Sequence, residues 1–339
     1  GEPEERLGVV VVFSDTTEER KRRKIKRLFG EYVDPRIVER ILSRDEASRS
    51  RHAEMTISFV DMRNFTGWSE RLDVDTLIDV LNRFLAAMTE PIGQAGGITD
   101  KYIGDSVMAC WGPPFTDAST QAVDACKAAL GQMAALPALR EELAAAGVDG
   151  AQTLDAVVGL ATGGVIAGDV GPPSSRNYTV IGNAVNLAAR LQEAAKVYGH
   201  SVIVSEETMV QASGPFVFRE LDKMLVRGLS FPTSIYALLG PKEDVSEETI
   251  ALATRYNDGL AHLRAQNFGP AREAFTACLA QDPHDVPSSL MLRRIDQLQE
   301  YPLPADWDGV WRVAGAAMGA DRADDTTCVA LRYLGPDSA

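Results

Sequence analysis

Apolar and polar positions alternate with two different periods along the central part of the chain. Apolar residues that alternate or run together over a few positions predict strands, whereas those recurring about every three to four positions predict helices. Predicted strands lie in MTISFVDM, GGITDKYIGDSVMACW (a hairpin), LDAVVGLATG, YTVIG, SVIVS, FVFREL and SIYALL, and predicted helices span 74–87, a stretch from about 119, and 183–198. This alternation, from residue 53 to about 239, predicts an α+β fold, an α/β sandwich with one mixed sheet.

The residues before this region predict a strand, two helices and a polar linker. The apolar run at 8–14 predicts the strand, and the capping-box spacing of D-T-T-E after it predicts a charged helix from 18 to about 29. A short helix at 36–42 and the linker follow. The strand and charged helix resemble the last strand and exit helix of a PAS sensor domain. The resemblance implies an upstream sensor that ends within 1–17, with 18–52 as coupling helix and linker.

Beyond residue 242 the composition changes and the pattern predicts helices. Residues 250–263 and 270–280 have apolar positions at helical spacing and predict an antiparallel pair. The pair resembles a single tetratricopeptide-like unit, which cannot form a solenoid alone and should therefore pack on the neighbouring domain or on a partner. We assign 247–305 to this helical region and 306–339 to a C-terminal tail.

Composition narrows the class of protein. The formal net charge of −14 argues against broad nucleic-acid contact, because phosphate backbones require a basic surface. Four dispersed cysteines form no C-x-x-C pair, so a structural zinc site is not expected. No apolar run is long enough to span a membrane. The dispersed cysteines are typical of reduced thiols in the cytoplasm, and we expect no membrane contact by this part of the protein. Because the chain starts at Gly1 instead of methionine, we expect a piece of a longer protein that could be tethered to a membrane upstream.

The first segment with candidate chemistry is FVDMRNFT at 59–66, a strand that ends in an acid and turns into a helix. Asp61 can ligate a divalent cation, and the backbone N–H groups at Phe65 and Thr66 can meet phosphate oxygens at the helix start. An acid at the end of a strand can equally serve only as a helix cap.

The second segment is KYIGDSVMA at 101–109, a tight hairpin around Gly104. Asp105 offers a second carboxylate, and two carboxylates on adjacent strand ends can hold two cations. The alternative is a hairpin whose Asp105 only accepts hydrogen bonds within its own turn.

The third segment is YTVIGNAVNLAARL at 178–191, a strand that turns at a glycine into a helix. Asn186 and Arg190 are four positions apart and project from one helix face. Such a pair can orient a ribose and neutralise charge that develops on a phosphate. The alternative makes Asn183 an N-cap and Arg190 a solvated surface residue.

Together the three segments resemble the class III adenylyl cyclases in order and spacing. The resemblance covers residues 53 to about 239, and LFGEYVDPRIVERIL before it is similar to the lead-in helix of bacterial members. It implies a catalytic domain at 53–240 with a ferredoxin-like core and a mixed sheet, preceded by the coupling helix and followed by a small all-α region.

The resemblance also implies roles for residues of the three segments. Asp61 and Asp105, with the backbone carbonyl of Met62, would bind two divalent metal ions, Mg²⁺ or Mn²⁺. Asn186 would orient the ribose of ATP, and Arg190 would stabilise the transition-state phosphate.

Nucleotide recognition is implied at four further residues. Lys101 would donate to adenine N1 and Thr179 would accept from the exocyclic amino group, a pattern that guanine reverses. Arg227 would bind the terminal phosphates where relatives often have lysine, and Arg176 is a weaker phosphate candidate.

The resemblance finally implies a homodimer with two sites at its interface. Each site would take its metal-binding acids from one protomer and Lys101, Thr179, Asn186 and Arg190 from the other. Alternatives are a guanylyl cyclase, or an inert nucleotide-binding regulator that keeps the fold. A diguanylate cyclase is disfavoured because its GG(D/E)EF hairpin is absent: the segment reads GGITDKYIGD.

Overall fold

A computed structural model describes residues 34–42, 50–172, 174–225, 232–300, 307 and 309–312. The strand predicted at 8–14, the helix predicted at 18–29 and the candidate Arg227 lie outside these residues. The chain divides into two compact units, residues 1–49 and residues 50–339. In the first, helix α1 (Pro35–Leu42) begins where the Asp34 carboxylate accepts a hydrogen bond from the Arg36 N–H at 2.9 Å.

The second unit is built on a mixed sheet. Among the described residues its strand order is β2-β3-β1-β4-β6-β8-β7-β9, with β5 paired to β4. β1 lies between β3 and β4 and is antiparallel to both, whereas β4 and β6 are parallel. The strands are β1 (Arg51–Met62), β2 (Ile98–Ile103), β3 (Ser106–Trp111), β4 (Ala156–Val170), β5 (Asn177–Ile181), β6 (Val202–Ser205), β7 (Phe216–Leu225), β8 (Thr233–Pro241) and β9 (Trp311–Arg312).

Helices cover both faces of the sheet. They are α2 (Phe65–Arg71), α3 (Val74–Gln94), α4 (Gln121–Ala145), α5 (Asn183–Tyr198), α6 (Glu206–Ala212), α7 (Glu247–Arg264), α8 (Phe268–Gln281) and α9 (Val286–Glu300). α3 and α4 form the main core with alternate residues of the central strands, among them Val158 and Leu160 of β4. Gly159, between those two, faces α5 on the opposite side. A Cβ there would lie 2.2 Å from the Ala188 carbonyl oxygen, so glycine permits the close approach of α5 to the sheet.

Buried ion pairs attach the C-terminal helices to this core. Arg219 of β7 makes two hydrogen bonds, of 2.6 and 2.8 Å, to Asp285, which lies just before α9. The guanidinium of Arg294 in α9 pairs with Asp222 of β7, and the Tyr198 hydroxyl at the end of α5 donates to the same carboxylate at 2.5 Å. The helical region is therefore continuous with the core of the second unit and contacts the helix α5.

The predicted elements agree with the structure in type, and differ mainly at their ends. β1 begins at Arg51, inside the predicted linker, because its first residues pair with the far end of the long strand β4. The predicted helix at 74–87 continues to Gln94. The C-terminal region has a third helix, α9, that the pattern analysis did not identify. Within the described residues, none of the helices has the length and apolar character required to cross a bilayer.

The ion pair between Arg294 and Asp222 yields a stability prediction. Both side chains are less than 8% exposed, so Arg294→Met leaves a buried carboxylate without its cation. We expect the free energy of unfolding, measured by urea denaturation, to fall by about 3–5 kcal/mol.

The matched control is Arg272→Met. Arg272 pairs with Asp296 on the surface, where the two side chains are 40% and 64% exposed, and its loss should cost less than about 1 kcal/mol. Equal effects of the two substitutions would contradict the buried ion pair as an attachment of α9.

Candidate active site

The two acids predicted to bind metal ions, Asp61 and Asp105, lie at one end of the sheet, where β1 ends and β3 begins. Val60 of β1 pairs with Val107 of β3, so Asp61 comes opposite Ser106, and the Ser106 hydroxyl donates to its carboxylate at 2.5 Å. Asp105 precedes Ser106 in the turn at Gly104, whose φ of 64° is in the left-handed region that favours glycine. The register of one strand pair thus brings Asp61 and Asp105 together.

The electrostatics of Asp105 reflect this proximity. Burial raises the pKa of the Asp105 carboxyl above its ordinary value, and the negative charge of Asp61 raises it further. The positive charge of Lys196 and a hydrogen bond from the Met62 backbone N–H act in the opposite direction and lower this pKa. Two partly buried carboxylates that repel each other favour the binding of a cation between them.

Lys196 supplies one positive charge to this site, and the sequence analysis missed it. Its ammonium lies 2.8 Å from Asp61 Oδ1, although the two residues are 135 positions apart. Asp61 is 14% exposed at its side chain and Lys196 45%. In the absence of other cations, Lys196 is the counter-charge of the acid pair.

The acid pair has the chemistry of a divalent-cation site. Carboxylate oxygens are preferred ligands of Mg²⁺ and suit Mn²⁺, and Mg²⁺ sites in nucleotide enzymes often use one or two carboxylates and complete the shell with water and phosphate oxygens. Within the described ranges there is no cluster of three or more His, Cys, Asp or Glu side chains arranged for a metal ion. A cation bound here would therefore depend on Asp61, Asp105, backbone oxygens and substrate. The predicted role of the Met62 carbonyl stays a prediction.

A second group forms around the predicted base-recognition residues. The Lys101 ammonium donates to the Thr179 hydroxyl oxygen at 2.9 Å, across 78 positions of sequence. The Thr179 hydroxyl donates to Asp100 Oδ2 at 2.7 Å, and the Asp100 side chain is 4% exposed. Asp100 is a second residue that the sequence analysis missed, although it directly precedes Lys101.

The remaining candidates lie on the surface. Asn186 is exposed on α5, and Arg190, one turn later, pairs with Glu193 at 2.8 Å. Arg176 is exposed in the loop before β5. Among the described residues, no hydrogen bond or ion pair links Asn186 or Arg190 to the acid pair. Within the described residues, the polar contacts of the acid pair therefore do not include these two candidates.

The predicted phosphate-binding turn is present, with a cap of its own. Phe65 and Thr66 begin α2, which has seven residues. Asn64 before them has a left-handed backbone, with φ of 55°, and its side-chain oxygen accepts from the Gly67 N–H at 3.3 Å. This cap uses one free N–H at the helix start and leaves those of Phe65 and Thr66 for other acceptors.

Comparison with known proteins gives a consistent result for this region. The adenylate and guanylate cyclase catalytic domain family matches residues 47–240. The terminal-differentiation specific adenylate cyclase of Dictyostelium discoideum is 31% identical over 276 residues, which cover 79% of this chain and 12% of that protein. An adenylate cyclase of Anabaena cylindrica is 34% identical over 61% of this chain and 40% of its own length.

A solved structure shows a similar fold. The crystal structure of the adenylyl cyclase CyaB from P. aeruginosa is 31% identical, with a TM-score of 0.53 over 58% of this chain and 100% of that chain. The mixed sheet and its flanking helices match the fold of that catalytic domain. The chain spans less than half the length of either curated relative.

The contact between Lys196 and Asp61 predicts competition with divalent cations. Lys196→Gln removes a positive charge that a metal ion must displace or share, so we expect Mn²⁺ to bind more tightly, by about fivefold for a partly exposed ion pair. The measurement is the Mn²⁺ dependence of the thermal unfolding temperature, which requires no catalysis.

Lys127→Gln is the matched control, because Lys127, whose side chain is 59% exposed, pairs with a different aspartate, Asp124 on α4. Its Mn²⁺ response should equal that of the unsubstituted chain. A Lys196→Gln protein that binds Mn²⁺ no more tightly than the unsubstituted chain would contradict the role of Lys196 as a competing counter-charge.

Proposed function

Because the chain belongs to the adenylate and guanylate cyclase catalytic domain family, we propose that it is an adenylate cyclase, which converts ATP to 3′,5′-cyclic AMP and pyrophosphate. The observation that carries the choice of ATP is the contact between Lys101 and Thr179. The similarity to proteins named adenylate cyclases supports it.

The base would be recognised by these two side chains. An ammonium group only donates hydrogen bonds, which suits the unprotonated N1 of adenine and not the N1–H of guanine. The Thr179 hydroxyl oxygen can accept from the adenine amino group. Thr179 is 8% exposed, and a mismatch with a buried polar group discriminates strongly between substrates.

Asp61 and Asp105, with the Met62 carbonyl, are the proposed ligands of two divalent ions, Mg²⁺ or Mn²⁺. When bound, such ions activate the ribose 3′ hydroxyl and neutralise the triphosphate. The proximity of the two carboxylates, which the register of β1 and β3 places at one end of the sheet, supports the fit. The Ser106 hydroxyl holds the Asp61 carboxylate in place by a hydrogen bond of 2.5 Å.

Other residues would position the nucleotide for an in-line displacement. The ribose 3′ oxygen bonds to the α-phosphorus, the bond from that phosphorus to the leaving oxygen breaks, pyrophosphate departs and the hydroxyl proton passes to solvent. Asn186 would orient the ribose, and Arg190 would stabilise negative charge on the α-phosphate. Positioning and charge stabilisation account for most of the catalysis in such reactions.

The phosphate chain has several proposed contacts. The backbone N–H groups of Phe65 and Thr66 would bind phosphate oxygens at the start of α2. Arg176, in the loop before β5, and Arg227, which lies outside the described residues, are proposed partners of the outer phosphates.

We also propose that the site is completed by a second copy of the chain. Asn186 and Arg190 are accessible on α5. Within the described ranges they make no hydrogen bond or ion pair to the acid pair of their own chain, which supports their action across a dimer interface. Large exposed apolar side chains accompany the base-recognition residues, and such patches favour protein–protein contact. They are Tyr102, Ile103, Ile166, Val170 and Ile181.

We propose that the residues before the catalytic domain regulate it. Residues 1–17 resemble the end of a PAS sensor domain, and residues 18–52 would couple that sensor to the catalytic domain. We propose that the tetratricopeptide-like region at 247–305 acts together with the catalytic domain, because its helices pack on that domain. A change between open and closed dimers needs only a few kcal/mol.

Cyclic nucleotide production by the purified chain tests the proposed reaction. With ATP or GTP, in Mn²⁺ or Mg²⁺, we expect cyclic AMP from ATP and little product from GTP. Asp105→Asn keeps the shape of the side chain and removes its charge, so activity should fall by about 100-fold or more.

Asp124→Asn, a substitution of a partly exposed acid on α4 that pairs with Lys127, is the matched control and should keep its activity. Cyclic GMP as the main product would overturn the base assignment. No product from either nucleotide, in a sample shown to be dimeric, would favour an inert regulator and contradict the proposed reaction.

A further inference from the structure

Asp100 occupies an irregular position in strand β2. Thr99 pairs with Ala109 of β3 and Lys101 pairs with Met108, so Asp100 is an extra residue between two consecutive register positions. This irregularity is a β-bulge. Successive side chains of a regular strand point to opposite faces, whereas a bulge can turn two neighbours the same way. Here both Asp100 and Lys101 reach the Thr179 hydroxyl of β5.

The chemistry of the three groups fixes the direction of each hydrogen bond. A lysine ammonium can only donate, and an ionised carboxylate can only accept. The Thr179 hydroxyl therefore accepts from Lys101 at 2.9 Å and donates its single hydrogen to Asp100 at 2.7 Å. Burial raises the pKa of the Asp100 carboxyl above its ordinary value, whereas the hydrogen bond from Thr179 and the Lys101 ammonium, 3.3 Å away, lower this pKa and favour the ionised carboxylate.

A threonine hydroxyl alone is a poor discriminator of bases. It can accept from the amino group at position 6 of adenine, or rotate and donate to the carbonyl oxygen at position 6 of guanine or hypoxanthine. A buried acceptor that holds the hydroxyl hydrogen removes the second option. Asp100, 4% exposed, is such an acceptor.

We propose that Asp100 is a positioning residue for base selection, which holds the Thr179 hydroxyl so that only its oxygen lone pair faces position 6 of the purine. The inference rests on the proposed function, because it takes Lys101 and Thr179 as the base-recognition pair. It adds to that function a residue, Asp100, that influences base selection through Thr179 and does not itself contact the base.

The test compares the binding of ATP and ITP to the full chain. ITP has the size of ATP and carries a carbonyl oxygen at position 6. The measured quantity is the ratio of the two dissociation constants. Because Asp100 also lies 3.3 Å from Lys101, the Thr179→Val background separates an effect at position 6 from an effect through Lys101. Displacement of a fluorescent ATP analogue in the presence of Ca²⁺ gives both constants without requiring turnover.

Asp100→Ala should narrow the preference for ATP over ITP by about tenfold, because the hydroxyl becomes free to donate. Asp100→Asn retains an acceptor oxygen that Lys101 orients, and its ratio should stay near that of the unsubstituted chain. In a Thr179→Val background no hydroxyl remains to orient, so Asp100→Ala should change the ratio less than about twofold.

A merely structural role for Asp100 predicts the opposite pattern, with similar effects of Asp100→Ala whether residue 179 is threonine or valine. That result, or an unchanged ratio in Asp100→Ala, would overturn the inference. If the unsubstituted chain forms cyclic AMP while the ratio stays unchanged, the proposed function survives and the inference fails. If Asp100→Ala narrows the preference for ATP over ITP but the unsubstituted chain forms no cyclic product, the inference about Asp100 survives and the proposed reaction fails. Failure of a dimeric sample to bind either nucleotide would overturn both.

Discussion

The mutual repulsion of two carboxylates, Asp61 and Asp105, is the constraint on which the active site depends. The antiparallel register of β1 and β3 fixes both residues at one end of the sheet, and burial adds to the cost of charging Asp105. The Ser106 hydroxyl, which donates to Asp61, and the Lys196 ammonium, which pairs with Asp61, offset part of this cost. The remaining negative charge favours the binding of cations, in agreement with the divalent ions proposed to accompany ATP.

Helix α5 links this site to the rest of the molecule. Its close approach to β4 depends on Gly159, and from that position Lys196 reaches the acid pair. Asn186 and Arg190 lie on other parts of the helix surface, available to a second chain. Tyr198, the last residue of α5, is buried and contacts both Asp222 and Arg294, the ion pair that attaches α9. The C-terminal helices therefore contact the same helix that carries the proposed catalytic residues.

The sequence predicted most of what depends on local pattern. The helix expected at 183–198 agrees with α5 at both ends, because its glycines and apolar spacing mark its limits. The hairpin around Gly104 also agrees with the structure. Lys101 and Thr179 lie in contact, and their role in base recognition stays a prediction. Contacts between distant residues could not be predicted in this way. Lys196 and Asp61 are 135 positions apart.

The bulge at Asp100 has a related explanation. A one-residue irregularity leaves no periodic signal in a six-residue strand, so the alternation of β2 suggests that Asp100 and Lys101 point apart. Helix α9 was missed because its polar residues include Arg294, whose partners Asp222 and Tyr198 become visible only when the chain is folded. Local sequence thus identifies the elements and the motifs, and tertiary pairing determines which polar residues join them.

The central claim is that each active site combines the acid pair of one chain with Asn186 and Arg190 of another. Subunit exchange between Asp61→Ala and Asn186→Ala homodimers tests it most directly. Each homodimer alone should be inactive. After exchange, half of the dimers should contain one intact site of two, which restores about one quarter of the unsubstituted activity. No recovery of cyclic AMP production, in a mixture in which exchange is demonstrated by differently tagged subunits, would contradict the shared site.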